Sequence, residues 1–301
     1  MKHAMTVDVE DYFQVAAFAP NIKYEEWEKW PMRVEQNTHA ILDLFDQRGI
    51  QATFFILGWV AERQPELVRE IQKRGHEIAC HGMTHQLVYA QNPDIFREET
   101  FQSKALLEDI TGQAINGYRA ASYSITKQSL WALETLIDAG FTYDSSISPV
   151  HHDRYGIPGA PLNIHTAITA SEKSITEFPL TSAQFLGRRL PVAGGGYFRI
   201  YPYWFSRSML KRASKEIDQP FIFYLHPWEV DPKQPRIPGA SALSKFRHYT
   251  NLKRCMPRLE TLLGDFEFTT VESVINAYKT NATEKNTFAQ FDYRTVGAQP
   301  V

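Results

Sequence analysis

Four short stretches of this sequence carry residue types suited to metal binding and acid–base work: Asp8-Val9-Glu10-Asp11, His81-Gly82-Met83-Thr84-His85, Arg119-Ala120-Ala121-Ser122-Tyr123 and Leu225-His226-Pro227-Trp228-Glu229. In the first, the strand period of two sets Asp8 and Glu10 on one face, whereas a turn would bring in Asp11 instead. Carboxylates this crowded repel one another, so a cation is expected among them. In the second, imidazoles four residues apart can meet one ion if the segment turns helically. Two His and one carboxylate leave coordination positions open for water, the composition of a catalytic zinc or non-haem iron site rather than a closed structural one. Each stretch alone has an ordinary explanation. The acids can be a solvated strand end and the His pair a surface accident, while Arg119 can cap carboxylates and His226 can be a satisfied core histidine. Their weight comes from position, because each lies where a strand is expected to end. His3, His39, His76, His151, His152, His165 and His248 lack such context and read as structural or exposed.

The elements that would position these groups alternate. Met5 to Val9 reads as a strand, Val34 to Gln47 as a helix stopped by Gly49, Ala52 to Leu57 as an apolar strand, and Pro65 to Arg74 as a helix closed by Gly75. Glu77 to Cys80 is a strand running into His81, Pro93 to Thr111 a helix, and Tyr118 the next strand. A helix after Thr126 stops at Gly140, before a strand at Phe141 to Tyr143. From His151 to Pro202 the pattern is irregular, with several prolines and Gly194-Gly195-Gly196, and suggests hairpins and loops. Alternation returns with a helix near Trp204 to Ile217, the strand Phe221 to Leu225 ending at His226, and Phe266 to Val271 followed by a helix to Tyr278. Such β/α repetition predicts an α/β fold, a largely parallel sheet with covering helices that favours a closed or nearly closed barrel, with a hairpin and loop elaboration. We expect one catalytic domain over residues 1–280, residues 150–202 being an irregular insertion over the site, and a polar, frayed tail over 281–301.

Composition narrows the partners. With 43% hydrophobic residues in 301, the chain can bury a large core. A formal charge of -2 and the lack of a Lys/Arg block give no electrostatic support for nucleic acid. No apolar run reaches a membrane span and the opening MKHAMTVDVEDYF has no apolar signal core, so the expected location is cytoplasmic, or peripheral to a membrane through a lipid-linked substrate. Cys80 and Cys255 are too few for a disulfide framework and lack metal-ligand spacing.

Taken together and in this order, the four stretches resemble the polysaccharide deacetylases of carbohydrate esterase family four (NodB homology). That family's usual motifs are an acidic pair after the first strand, a His-x-x-x-His, an Arg-x-Pro-x-Tyr and a late Leu-His. TVDVEDYFQV, HGMTHQLVY, GYRAASYSI, EFPLT, GGGYFRIYP and FYLHPWEVD look most like its branch associated with exosortase-type exopolysaccharide clusters. The resemblance implies a distorted TIM-like (β/α) barrel of about seven strands and a divalent metal, zinc first with iron, cobalt or nickel also fitting, held by His81, His85 and one carboxylate, Glu10 or Asp11. It implies that Asp8 is the general base toward metal-bound water, that Arg119 holds that base, that His226 protonates the departing amine, and that Tyr123 offers its backbone N–H to the oxyanion. The implied substrate is an N-acetylated hexosamine glycan or its lipid-linked precursor.

Two departures stand out: Val9 separates Asp8 from Glu10 where the family has adjacent Asp residues, and Ala121 replaces the family's Pro. The late His has two candidate acidic partners, Glu229 and Glu177. Tyr12, Phe13, Tyr197, Phe198, Tyr201 and Trp228 are candidates for a sugar-facing surface. Two other readings stay open, hydrolysis of a small cyclic amide (imide or ureide) on the same metal site and a non-catalytic carbohydrate-binding protein. A serine hydrolase is disfavoured because no Gly-x-Ser-x-Gly elbow is present. Nothing in the residues speaks to oligomeric state.

Overall fold

A strand that is apolar on both faces must be covered on both, and β1 (His3–Val9) is buried at every position. In the computed structural model, which describes residues 1–152, 154–285 and 288–296, the chain continues through α1 (Val34–Arg48), β2 (Thr53–Ile56), α2 (Gly58–Arg63), α3 (Pro65–Lys73), β3 (Glu77–Cys80), α4 (Pro93–Thr111), β4 (Gly117–Tyr118), α5 (Ala132–Asp138) and β5 (Tyr143–Asp144). These follow the expected alternation closely because their boundary signals are local. Gly49 ends α1 at a φ of 62°, Pro65 opens α3, and the Asn92 side chain caps α4 by accepting from the Ile95 N–H. α1 buries Val34, Ile41, Leu42 and Phe45, with Phe45 edge-on to Phe54 of β2. Each such side chain contributes about 1.5–3 kcal/mol when fully buried.

Past β5 the irregular stretch resolves into two hairpins, β6 (His165–Ile168) with β7 (Ser174–Glu177) and β8 (Ser182–Phe185) with β9 (Arg188–Pro191). Next come α6 (Gly195–Ile200), α7 (Tyr203–Ile217), β10 (Ile222–Leu225), α8 (Ala242–Tyr249), α9 (Leu252–Asp265), β11 (Phe268–Thr269), α10 (Val271–Lys285) and β12 (Gln290–Asp292). Pattern reading passed over α8 and α9. Pro257 inside α9 hides a helical stripe, Leu252, Cys255, Leu259, Leu262 and Leu263, that is buried. The chain end also differs from the frayed tail expected after Thr280. β12 pairs in parallel with β6, and buried Tyr293 places its hydroxyl 3.2 Å from His165 Nε2. Residues 286–287 and 297–301 of that tail lie outside the described residues.

The strands run in the order β10-β1-β2-β3-β4-β5-β7-β6-β12, with β11 also paired to β1. Every pairing from β10 to β7 is parallel. This is a distorted (β/α) barrel, and no ladder among the described residues closes it. Between β7 and β10 the seam is bridged instead by the Ile222 N–H to Thr181 Oγ1 and the Tyr224 N–H to the Ala193 carbonyl, both 2.9 Å. Gly194 permits that approach: its φ is 135°, and a Cβ there would come within 1.9 Å of the Tyr224 carbonyl oxygen. Because the seven strands from β10 to β7 share one direction, Asp8, His81, Arg119, Asp144, Glu177 and His226 all gather at their carboxyl ends. No helix among the described residues is long and apolar enough to cross a membrane.

Candidate active site

Asp8 is the last-but-one residue of β1, and Glu10 follows just beyond, its N–H turned back on the Asp8 carbonyl at 3.0 Å. Both side chains face one cavity of about 270 Å³ at the carboxyl rim, and both are 2% exposed. Glu10, His81 and His85 each offer a ligand atom, all within 4.8 Å of one another. Glu10 Oε2 stands 2.5 Å from His85 Nε2, yet that oxygen has no hydrogen-bond partner of good geometry, and neither does buried His85 Nδ1. Two imidazoles converging with an orphaned carboxylate oxygen fit a divalent cation.

Asp11, the competing carboxylate, points elsewhere. Its Oδ2 accepts from the Arg33 and Val34 N–H groups at 2.6 and 2.9 Å, and its Oδ1 from the Tyr12 N–H at 2.9 Å. It caps the N-terminus of α1, where an anion also meets the helix dipole. The turn that would have carried Asp11 to the imidazoles carries it to a helix instead.

The His81–His85 segment is not the helical turn expected from its spacing. Gly82 and His85 both take left-handed conformations, φ 75° and 55°. The N–H groups of Gly58 and Trp59 at the start of α2 hold the loop by its Gly82 and Met83 carbonyls, at 2.8 and 3.0 Å. His81 Nδ1 lies 2.8 Å from the Arg119 carbonyl, which can only accept; Nδ1 therefore carries the proton and Nε2 keeps its lone pair. Burial pushes His81 down to about 4, against the pull of Asp8, so the ring is neutral at pH 7.

Arg119, fully buried just after β4, grips Asp8 Oδ1 and Thr6 Oγ1 with one nitrogen, each at 2.7 Å. Its other nitrogens reach the Ser145 carbonyl and hydroxyl at 3.2 and 3.1 Å, and its guanidinium lies 4.0 Å over the Phe55 ring. Asp8 Oδ2 is left facing the Tyr123 hydroxyl at 3.4 Å and His226 Nε2 at 3.9 Å. Tyr123 itself departs from expectation. Its backbone N–H donates to the Ala120 carbonyl at 3.0 Å, within a tight turn whose Ser122 and Tyr123 both have positive φ. The phenol, not the N–H, faces the cavity groups.

His226 receives its acidic partner from four residues' span. Nδ1 lies 2.8 Å from Glu229 Oε1, which also accepts the His226 N–H at 3.1 Å. Burial alone would lower this imidazole; the Glu229 hydrogen bond and the Glu10 and Asp8 charges outweigh it and raise it to about 9. Glu177, the other candidate, sits at the end of β7 opposite Asp144 of β5 and accepts from the Ile147 N–H at 3.0 Å.

Arg199 lies in the GGGYFRIYP stretch but carries no spacing signal of its own. Buried in α6, Arg199 binds Glu229 Oε2 at 2.5 Å and is itself fixed by the His248, Thr250 and Arg247 carbonyls at 2.9, 2.6 and 2.9 Å. A lone arginine amid Gly, Tyr, Phe and Ile was the only signal available. Of the aromatic candidates, Tyr197 and Trp228 line the cavity, Tyr201 is half-buried, and Tyr12, Phe13 and Phe198 belong to the core. A larger hollow of about 950 Å³ at the opposite strand ends, around Met1, Thr269 and Tyr278, contains none of the groups described.

Residues 26–143 match the family model described as Polysaccharide deacetylase. This stretch of the chain carries the polysaccharide deacetylase family's pattern. The matched segment contains His81, His85, Arg119 and Tyr123, whereas Asp8 and Glu10 precede it. Residues 145–276, which contain Arg199, His226 and Glu229, match a second model described as a domain of unknown function (DUF3473). A chitooligosaccharide deacetylase of Bradyrhizobium sp. (strain ANU 289) is 33% identical over 95 residues, covering 32% of this chain and 43% of its own length. A peptidoglycan-N-acetylglucosamine deacetylase of Bacillus cereus is 25% identical over 169 residues, 50% of this chain and 61% of its own. The chain thus spans about half the length of those curated relatives. Among solved structures, a Mycobacterium smegmatis protein classed as a polysaccharide deacetylase aligns over 96% of this chain and 92% of its own, with 18% identity and a TM-score of 0.58. An allantoinase aligns over 85% and 74% with 16% identity and a TM-score of 0.54. At these identities both speak to the fold.

Proposed function

We propose that this protein hydrolyses N-acetyl groups from a hexosamine-containing glycan or its lipid-linked precursor in exopolysaccharide synthesis, with residues 1–280 forming one catalytic unit. The observation that carries the reading is the meeting, in one cavity, of a cation-ready Glu10–His81–His85 cluster with an Asp8 clamped by Arg119 and a His226 paired to Glu229. The relatives that act on chitooligosaccharide and on peptidoglycan N-acetylglucosamine support it.

Glu10, His81 and His85 would hold a divalent ion, with zinc the first choice for two imidazoles and a carboxylate. When bound, that ion supplies Lewis-acid polarisation of an amide carbonyl and an acidified water. The protein supplies the proton transfers. Arg119 occupies Asp8 Oδ1, so Oδ2 is the oxygen that takes the proton from the attacking water. The Tyr123 hydroxyl, 3.4 Å away, orients Oδ2. His226 Nε2 gives its proton to the amide nitrogen as the C–N bond breaks, so the amine leaves neutral and acetate remains. Glu229, held by Arg199, keeps that imidazole charged and pointed into the cavity. Proton transfer by placed side chains contributes roughly 10²–10⁴-fold each.

The test is acetate release from an N-acetylated hexosamine oligosaccharide by protein supplied with zinc. Release that disappears in Asp8→Asn supports the assignment. Release persisting in that variant removes Asp8 as base, and turnover of cyclic imides or ureides with none of glycans transfers the activity to another substrate class.

A further inference from the structure

The β8–β9 hairpin turns through Leu186 and Gly187, at φ 47° and 77°. A two-residue turn with both φ positive is best served by Asn-Gly, and a leucine there is sterically costly. Leu186 is also 87% exposed, so neither the turn nor the core accounts for its side chain. Beside it, Phe185 packs edge-on to Phe205 at 5.2 Å, and Phe205 meets Trp204, whose side chain is 70% exposed, at 5.9 Å. Leu186 and Trp204 are the chain neighbours of these two packed rings, so both exposed side chains flank the Phe185–Phe205 contact.

Cations surround it. Arg188 follows the turn, and from Trp204 the helical period runs through Ser208, Lys211 and Lys215 along one exposed face of α7, with exposed Arg212 beside them. The nearby acids already have partners, Glu216 with Arg189 and Asp265 with Arg207 and Tyr203; Asp218 lies past the end of the helix. Among the described residues no carboxylate pairs with Arg188, Lys211, Arg212 or Lys215. For a chain of net charge -2, this is a marked local asymmetry.

A Trp and an exposed aliphatic tip flanked by Lys and Arg suit an anionic lipid surface: the indole seats at headgroup depth, the leucine reaches the acyl boundary, and the cations meet phosphates. A neutral glycan would use the Trp204 ring but has no use for the leucine tip or the cations. We propose that the Leu186–Trp204 patch and the basic face of α7 dock this protein reversibly on an anionic membrane surface. Ring contacts from Trp204 through Phe205 and Tyr201 to Tyr197, at 5.9, 5.2 and 5.8 Å, join the patch to the rim of the cavity.

Cosedimentation of the full chain with lipid vesicles tests this. The native protein should pellet with phosphatidylglycerol-containing vesicles at low ionic strength, come off as salt screens the cations, and stay in the supernatant with pure phosphatidylcholine. Lys211→Gln and Lys215→Gln should each weaken binding about fivefold. Leu186→Ser combined with Trp204→Ala should abolish it at unchanged circular dichroism, since both side chains are exposed. Failure of the native protein to pellet at low salt overturns the proposal, as does pelleting that every variant retains. Loss of oligosaccharide binding in Trp204→Ala with vesicle binding intact assigns the tryptophan to glycan and also overturns it. None of these readouts depends on deacetylation.

Discussion

The indole N–H of Trp228 donates to Glu10 Oε1 across 3.1 Å. The same ring stacks on the His226 imidazole at 5.1 Å and 18°, and on its far side on His248 at 4.1 Å and 13°. One side chain thus orients the carboxylate of the cation cluster and braces the imidazole opposite it. Trp228→Phe keeps a ring in the stack and removes the donor. Zinc affinity, measured by competition with a chelator, should fall about 10–100-fold, the usual effect of losing a partner that orients a ligand. Unchanged affinity would leave Trp228 as packing alone.

Glu10 and Asp11 are neighbours in sequence with opposite destinations, so their variants should separate. Glu10→Gln should lose zinc binding with the fold intact. Asp11→Ala should keep zinc binding and lose about 2 kcal/mol of stability to urea, because it strips the cap from α1.

Arg119 and Asp8 form a pair buried at 0% and 2% side-chain exposure. Removing one partner of such a pair costs about 3–5 kcal/mol, since the other is left as an uncompensated buried charge. Arg119→Met should therefore unfold at markedly lower urea. Asp8→Asn also leaves the Arg119 charge unpaired but keeps a hydrogen-bond acceptor for it, so it should lose urea stability less than Arg119→Met, remain folded without urea, and lose acetate release by roughly 10²-fold or more.

Glu229 and His226 set the pH dependence from opposite sides. Burial opposes the Glu229 charge, but Arg199 and His226 prevail and lower its carboxyl to about 2 from an ordinary 4.5. A depressed carboxyl stabilises the fold above its unfolded value, and that contribution, of order 3 kcal/mol, drains away as pH falls from about 4.5 toward 2. His226 is raised, so its contribution is complete below about 6.5 and is lost as pH rises through about 9. Histidine NMR titration without metal should place His226 near 9, and Glu229→Gln should lower it. With zinc bound, the cation opposes the imidazolium, so the basic limb of kcat/KM should fall below 9, and lower again in Glu229→Gln.

Much of this architecture is written locally. The runs before Gly49, Gly75 and Gly140 and the prolines at 65 and 93 mark elements that need only their own neighbours to form. Reading failed where local signals conflict with context. Pro257 disguised α9, and the polar chain end concealed a strand whose partner, β6, lies more than a hundred residues away.

By itself the sequence determined that acids and histidines stand at strand ends in a parallel β/α array, because the period of two and the position of glycines and prolines are properties of short segments. It could not determine which way those side chains turn. That Asp11 caps α1 while Glu10 meets His85, that Glu229 rather than Glu177 serves His226, and that Arg199 braces Glu229 were decided only in the tertiary structure. Trp228 and Glu10 are 218 residues apart in the chain. The direction of a carboxylate is chosen by whichever donors folding delivers to it, and no local pattern encodes those donors.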